Sequence, residues 1–129
     1  MSDPLAQIST HIADLTAGYA IRFHRWTDAD QAGEGQLVLF RLSGTGASDY
    51  VTSVRDVLIR MLCSPASVEA GRLIMERVQR RLFDEYKGGG AFLYLPMGEL
   101  LGPMYLQNER AIFDLNVRVM SDQTSEPAP

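Results

Sequence analysis

The chain has one cysteine, two histidines and a single lysine among its 129 residues, and each scarcity excludes a class of site. With Cys63 alone, an internal disulfide cannot form, which is typical of proteins kept in a reducing compartment. No pair of Cys or His residues has the spacing of a zinc site, so we predict no metal. A Cys–His nucleophile would need His11 or His24 beside Cys63. Because Cys63 ends an apolar stretch, we interpret it as a small buried hydrophobic residue.

The sequence also lacks long hydrophobic runs and a basic N-terminal segment. Its longest apolar stretches are far shorter than the ~20 residues that cross a bilayer. Residues 1–4 do not resemble the start of a signal peptide. We therefore expect a soluble protein that is made in the cytoplasm and has no membrane partner.

An excess of basic residues is missing as well, since the net charge is −4. Phe23, Arg25 and Trp26 form only a small aromatic and basic patch, so we expect no sequence-specific nucleic-acid partner. The glycines at 44–46 precede a predicted strand, and those at 88–90 follow a predicted helix. Neither group lies at a helix N-terminus, where backbone amides bind phosphate. We predict no cofactor, no catalytic residue and no enzymatic activity.

Eleven of the twelve basic residues are arginine. Arginine suits protein interfaces because its planar guanidinium both pairs with carboxylates and stacks on apolar surfaces. GC-rich coding is the simpler explanation of the same bias, and both explanations can hold together.

Hydrophobic periodicity predicts an α+β fold. The segment 51–63 also fits a helix, but its β-branched residues favour a strand. We expect one domain over residues 1–120, with a mainly antiparallel sheet and two helices packed on one of its faces, followed by a disordered tail at 121–129. The predicted elements are helices over 4–17 and 64–90, strands over 19–26, 37–44, 51–63 and 110–120, loops over 27–36 and 45–50, and an irregular apolar segment with one or two short strands over 91–107.

The strand at 110–120 alternates strictly. Phe113, Leu115, Val117 and Val119 share one side, which we expect to pack on the helices. The other side carries polar residues that we expect to be available for contacts.

Charge on otherwise apolar strands, and on the loops beside them, indicates candidate partner contacts, although solvent exposure or pairing within the chain explains each of these charges at least as well. We predict three such regions: the loop 27–36 with the neighbouring tryptophan, the turn 44–50, and one polar strand face. The candidate residues are Trp26, Asp28, Asp30, Arg55, Asp56, Arg60, Asp114 and Arg118.

The order of elements, the segment Phe40–Gly46 and the segment "GPMYLQNERAIFDLNVRV" at 102–119 together support a family resemblance. Over residues 4–120 the chain resembles the tail terminator proteins of long-tailed bacteriophages and related prophages. The resemblance implies a ring, usually hexameric, that caps the tail tube, stops its polymerisation and offers a surface to the head. The implied partners are further copies of the chain, the tail tube protein and the head–tail connector protein. The implied location is the virion tail, after synthesis in the bacterial cytoplasm.

The resemblance assigns no individual residue, because such proteins carry no catalytic signature. Two alternatives stay open. One is another neck or tail-completion protein of the virion. The other is a small host adaptor or ligand-binding module that uses the segment 91–107 as a pocket wall.

Overall fold

A computed structural model describes residues 4–33, 35–45, 52–87 and 92–122. Five strands form one mixed sheet in the order β1-β2-β3-β5-β4, in which β1 runs parallel to β2 and every other neighbouring pair is antiparallel. The predicted α+β fold is confirmed. The elements are α1 Pro4–His11, β1 Ala20–Phe23, α2 Asp28–Ala32, β2 Leu37–Thr45, β3 Thr52–Cys63, a 3₁₀ turn Pro65–Ser67, α3 Val68–Asp84, β4 Phe92–Tyr105 and β5 Ala111–Asp122.

The hydrophobic core lies between one side of the sheet, here called the first face, and the helices α1 and α3. Alternation along the strands produces this face, because every second side chain points to the same side. The expected side of β5 is therefore in the core. The first-face core residues of the three central strands are Val38, Phe40, Val57, Ile59, Met61, Cys63, Phe113, Leu115, Val117 and Val119.

Helix α3 lies on the first face through a stripe with helical spacing, Gly71, Met75, Val78 and Leu82, all of them buried. Gly71 allows the helix to approach β3 closely. A Cβ atom at this position would collide with Cys63 Sγ and lie 3.2 Å from Met61 Sδ. The absence of a side chain at Gly71 thus sets the distance between α3 and the sheet.

The opposite side of the sheet, here called the second face, carries a smaller apolar cluster. Leu37, Leu62 and Ile112 are buried there, with Trp26 packed against them. The segment that contains Trp26 and α2 therefore covers one corner of the second face. Both faces of the first half of β2 are buried, as its nearly continuous hydrophobic run predicts.

The predicted loop at 27–36 is wrong in part, because Asp28–Ala32 form the helix α2. Thr27 Oγ1 accepts a hydrogen bond from the Asp30 backbone N–H at 3.0 Å, and Asp30 Oδ2 accepts one from the Thr27 N–H at 2.9 Å. This reciprocal capping box starts the helix. At five residues α2 has no apolar stripe and no buried residue, so periodicity could not reveal it.

The prediction of an irregular segment with one or two short strands at 91–107 is also wrong in part. The segment forms the 14-residue edge strand β4, which pairs with β5 through two irregularities, between Met97 and Leu101 and between Leu101 and Met104. Gly98 and Gly102 have positive φ at these irregularities. Proline and glycine argue against a central strand, but an edge strand with bulges accommodates both residues.

Several boundaries differ from the prediction. Helix α1 ends at His11 instead of residue 17, and β1 ends at Phe23 instead of residue 26. Helix α3 ends at Asp84, so the glycines at 88–90, which lie outside the described residues, are not its C-cap. The strand prediction at 51–63 is confirmed by β3. The predicted tail loses its first two residues to β5, and its remainder, like the turn at 46–50, lies outside the described residues.

Candidate interaction surface

Two of the predicted site residues, Arg60 and Asp114, form an ion pair across β3 and β5. They are direct partners in the strand register. Arg60 Nε donates to Asp114 Oδ1 at 2.7 Å, and Arg60 Nη2 donates to Oδ2 at 2.8 Å. The Asp114 side chain is 9% exposed and that of Arg60 26%. Hydrogen bonding to Asp114 raises the pKa of Arg60. The two charges satisfy each other within the sheet.

A second ion pair of the same kind joins Asp56 to Arg118, again as direct register partners. Arg118 Nε lies 2.9 Å from Asp56 Oδ1 and Nη2 lies 3.3 Å from Oδ2. The hydrogen bond from Arg118 lowers the pKa of Asp56. The predicted polar strand face therefore exists, but its charges pair with one another. Such cross-strand pairs support the register of the sheet.

Arg55 does not belong to this polar face, which corrects the predicted grouping. Its register partner is Val119, a first-face residue, whereas Asp56 opposite Arg118 points to the second face. Consecutive strand residues point to opposite sides, so Arg55 and Asp56 cannot share a face.

The remaining candidates lie around α2. Asp30 binds Arg22 through both carboxylate oxygens, at 3.2 and 3.0 Å, and this contact lowers the pKa of Asp30 to about 2. Trp26 donates through Nε1 to Gln31 Oε1 at 3.3 Å. Asp28 is exposed in the first turn of α2. Asp30 and Trp26 thus connect α2 to the sheet. The Asp28 side chain, in contrast, is exposed.

Arg110 is the residue that sequence reasoning missed. It is 2% exposed, and its guanidinium lies against α2 and the chain that follows it. A cation at the C-terminus of a helix is favoured by the carbonyls that have no partner there. An arginine just before a strand gives no sequence signal for this role. Its backbone acceptors are the carbonyls of Cys63 at 3.4 Å, Asp30 at 2.9 Å, Gln31 at 3.2 Å, Gly33 and Gly35.

Exposed hydrophobic side chains concentrate on one edge of the molecule. Within the described ranges there are eleven large ones, of which nine belong to α3, to the residues just after it, or to β4. Five of the six in β4 form a column on the second face, because their register partners are even-numbered residues of β5, whereas Tyr105 pairs with Ala111. The nine are Leu73, Phe83, Tyr86, Leu93, Leu95, Met97, Leu101, Met104 and Tyr105.

A groove of about 610 Å³ runs between α3 and β4 at this edge. Phe83 is its most exposed apolar residue, at 67%. Gln79 Nε2 donates to the Gly98 carbonyl at 3.4 Å and links the two walls. The lining residues are Leu73, Glu76, Arg77, Gln79, Arg80, Phe83, Pro96 and Gly98.

The backbone of β4 offers little to a further strand, although β4 is an edge. The Tyr94 N–H donates to the Tyr86 carbonyl at 2.7 Å, and Lys87 forms a bridge with Leu93. Pro96 and Pro103 have no N–H. These are the means by which natural sheets prevent edge-to-edge pairing. Contacts at this edge must therefore run through side chains.

The described residues offer little chemistry. They contain no group of three or more His, Cys, Asp or Glu that could hold a metal ion. Cys63 is fully buried, and burial raises the pKa of its thiol to about 11, which removes the thiolate at neutral pH. None of the helices in the described ranges has the length and hydropathy of a membrane span.

Comparisons of the sequence with protein-family models and with curated proteins find no match.

Proposed function

We propose that this protein is a structural subunit that acts by assembly: a tail terminator of a phage or prophage, which forms a ring on the tail tube and ends its growth. The observation that carries the proposal is that, among the described residues, nine of the eleven exposed large hydrophobic side chains lie at the α3–β4 edge. Singly scattered apolar side chains are ordinary on a monomer, but their concentration on two neighbouring elements is typical of a protein interface.

The remaining features of the described chain agree with a binding role. Its ion pairs on the second face stabilise the sheet internally, and its one thiol is buried. The net charge of −4 suits a ring through which DNA passes without being held, because like charges repel. Partners in this proposal are other copies of the chain, the tail tube protein and the head–tail connector protein.

The test has two parts. Light scattering after size-exclusion chromatography, over a wide concentration range, is expected to show a shift toward a sixfold mass. Added to polymerising tail tube protein of the same phage, the chain is expected to shorten the tubes, as measured by electron microscopy.

A matched pair of variants makes this test specific. Leu101→Glu places a charge in the exposed column of β4, where Leu101 is 52% exposed, and is expected to abolish both effects. Ala6→Glu places the same charge at an exposed position of α1 and is expected to change neither. Tubes of unchanged length with the wild-type protein would refute the terminator role.

A ligand-binding module is the second candidate, and the groove favours it. Its volume of about 610 Å³ falls within the usual range for small-molecule sites, and Pro96 and Gly98 of the segment 91–107 form part of its wall. A small molecule that co-purifies with the monomer would support this role.

A further inference from the structure

The two exposed large hydrophobic residues that do not belong to the α3–β4 edge lie together at the other end of the sheet. Phe23 is in β1, which is the last strand on that side, and Leu42 is in the neighbouring strand β2. They are 41% and 45% exposed. The Phe23 ring lies 6.0 Å from the ring of its register partner Phe40, and Leu42 follows Phe40 by two residues. Phe23 and Leu42 therefore form one small apolar projection on the first-face side.

The two ends of the sheet thus differ in shape. One end carries the groove between α3 and β4, with Leu73, Phe83 and Pro96 in its walls. The other carries the projection of Phe23 and Leu42. A groove and an apolar projection at opposite edges of one molecule fit a head-to-tail contact, in which each copy uses a different surface on each side.

One pair of charges beside the two surfaces is complementary. Glu99 follows the groove-lining residue Gly98, and Arg25 follows Phe23, whose carbonyl accepts a hydrogen bond from the Arg25 N–H at 2.9 Å. Both side chains are exposed, and within the described residues neither forms an ion pair. The groove of one copy therefore offers Glu99 to the Arg25 of the copy whose projection enters it.

We propose that the groove between α3 and β4 binds the Phe23–Leu42 projection of a second copy of this chain. The inference rests on the proposed function and specifies its self-contact. The contact is heterologous, and repeated copies related by a rotation that closes form a ring. The blocked backbone of β4 agrees with this geometry, because the groove receives side chains and no added strand.

The experiment compares three substitutions by light scattering. Phe83→Ser removes an aromatic wall of the groove, and Phe23→Ser removes the projection. Ala6→Ser is the control, since Ala6 is exposed on α1 and belongs to neither surface. We expect each of the first two to raise the concentration of half-assembly about tenfold or more, as the loss of an aromatic anchor does. The control is expected to assemble like the wild type. Circular dichroism checks that all three are folded.

Mixing identifies the head-to-tail geometry. A Phe83→Ser copy keeps its projection and a Phe23→Ser copy keeps its groove, so their mixture is expected to form a dimer and nothing larger. If the groove instead bound the groove of another copy, Phe23→Ser would assemble normally and mixing would restore nothing; either result overturns the inference. Glu99→Arg is expected to weaken assembly, and Arg25→Glu in the same chain is expected to restore it.

Failure of this inference is separable from failure of the proposed function. If the wild type assembles and ends tube growth while both Phe variants assemble equally well, the surfaces are wrong and the function stands. If the wild type remains monomeric with and without the tail tube, and tubes keep their length, both are overturned.

Discussion

Replacing the members of the Arg60–Asp114 pair one at a time and together tests whether these charges belong to the fold or to a partner. Arg60→Met leaves the Asp114 carboxylate without its cation in a side chain that is 9% exposed. Removing one partner of a buried ion pair costs about 3–5 kcal/mol. Because Arg60 is 26% exposed, water reaches the site, and we expect a lower cost, about 2–3 kcal/mol.

The opposite substitution is expected to cost less. Asp114→Leu leaves a guanidinium on a long flexible stem that can extend into solvent, so about 1–2 kcal/mol of folding stability is lost. The double variant replaces both charges by apolar groups of similar size. We expect its stability to lie within about 1 kcal/mol of the wild type. The coupling between the two positions is then about 3–5 kcal/mol, the sum of the two single losses, if the double variant is as stable as the wild type.

Urea unfolding measures these free energies at a protein concentration where the chain is monomeric. Fluorescence of Trp26, the only tryptophan, follows the second face. The comparison requires that the free energy of unfolding fall with urea concentration at the same slope in all four proteins. Single variants that each lose less than about 0.5 kcal/mol, without coupling, would refute the structural role. If such variants also failed to assemble, the result would support the sequence-based prediction that Arg60 and Asp114 contact a partner.

Three further predictions concern the described fold. Arg110→Met is expected to lower stability by about 2–4 kcal/mol in urea unfolding, because several backbone carbonyls lose their donor; a change below about 1 kcal/mol would contradict this. Gly71→Ala is expected to lower the free energy of unfolding by about 1–3 kcal/mol, because the new Cβ collides with the Cys63 sulfur. Cys63→Ala in the same chain should recover most of this loss. A Gly71→Ala protein as stable as the wild type would contradict the close approach of α3 to β3. The hydrogen bond from Arg81 lowers the pKa of Asp14 to about 2. The folding stability that this pair contributes is therefore fully present above about pH 4 and is lost as the pH falls through about 2. The stability of Asp14→Asn should fall less than that of the wild type over this range, and identical acid unfolding profiles would contradict the pairing.

The fold was predictable wherever a local pattern extended over many residues. The strict alternation of β5 and the stripe of Met75, Val78 and Leu82 in α3 each repeat often enough to identify element and buried side. Helix α2 escaped prediction because its five residues complete barely one turn. The full length of strand β4 was not predicted, because Pro96 and Gly98 indicate a loop unless the strand lies at the edge of a sheet.

The candidate site was predictable only as a set of charged residues. The sequence placed Asp56, Arg60, Asp114 and Arg118 on strands, but pairing depends on which strands are neighbours. The long-range register of β3 with β5 joins residues more than fifty positions apart, and no local pattern specifies it. Arg110 donates hydrogen bonds to backbone carbonyls. Because every residue type has the same backbone carbonyl, no sequence pattern could predict these contacts.

The sequence by itself determined the fold class, the helices and strands with strong periodicity, and the absence of a disulfide, because these follow from residue types and their spacing along the chain. The tertiary structure alone decided that Arg60 pairs with Asp114 and Arg118 with Asp56, and that nine of the exposed large hydrophobic side chains of the described residues lie at the α3–β4 edge. Exposure and pairing are properties of neighbours in space, and the chain brings those neighbours together only when the sheet forms.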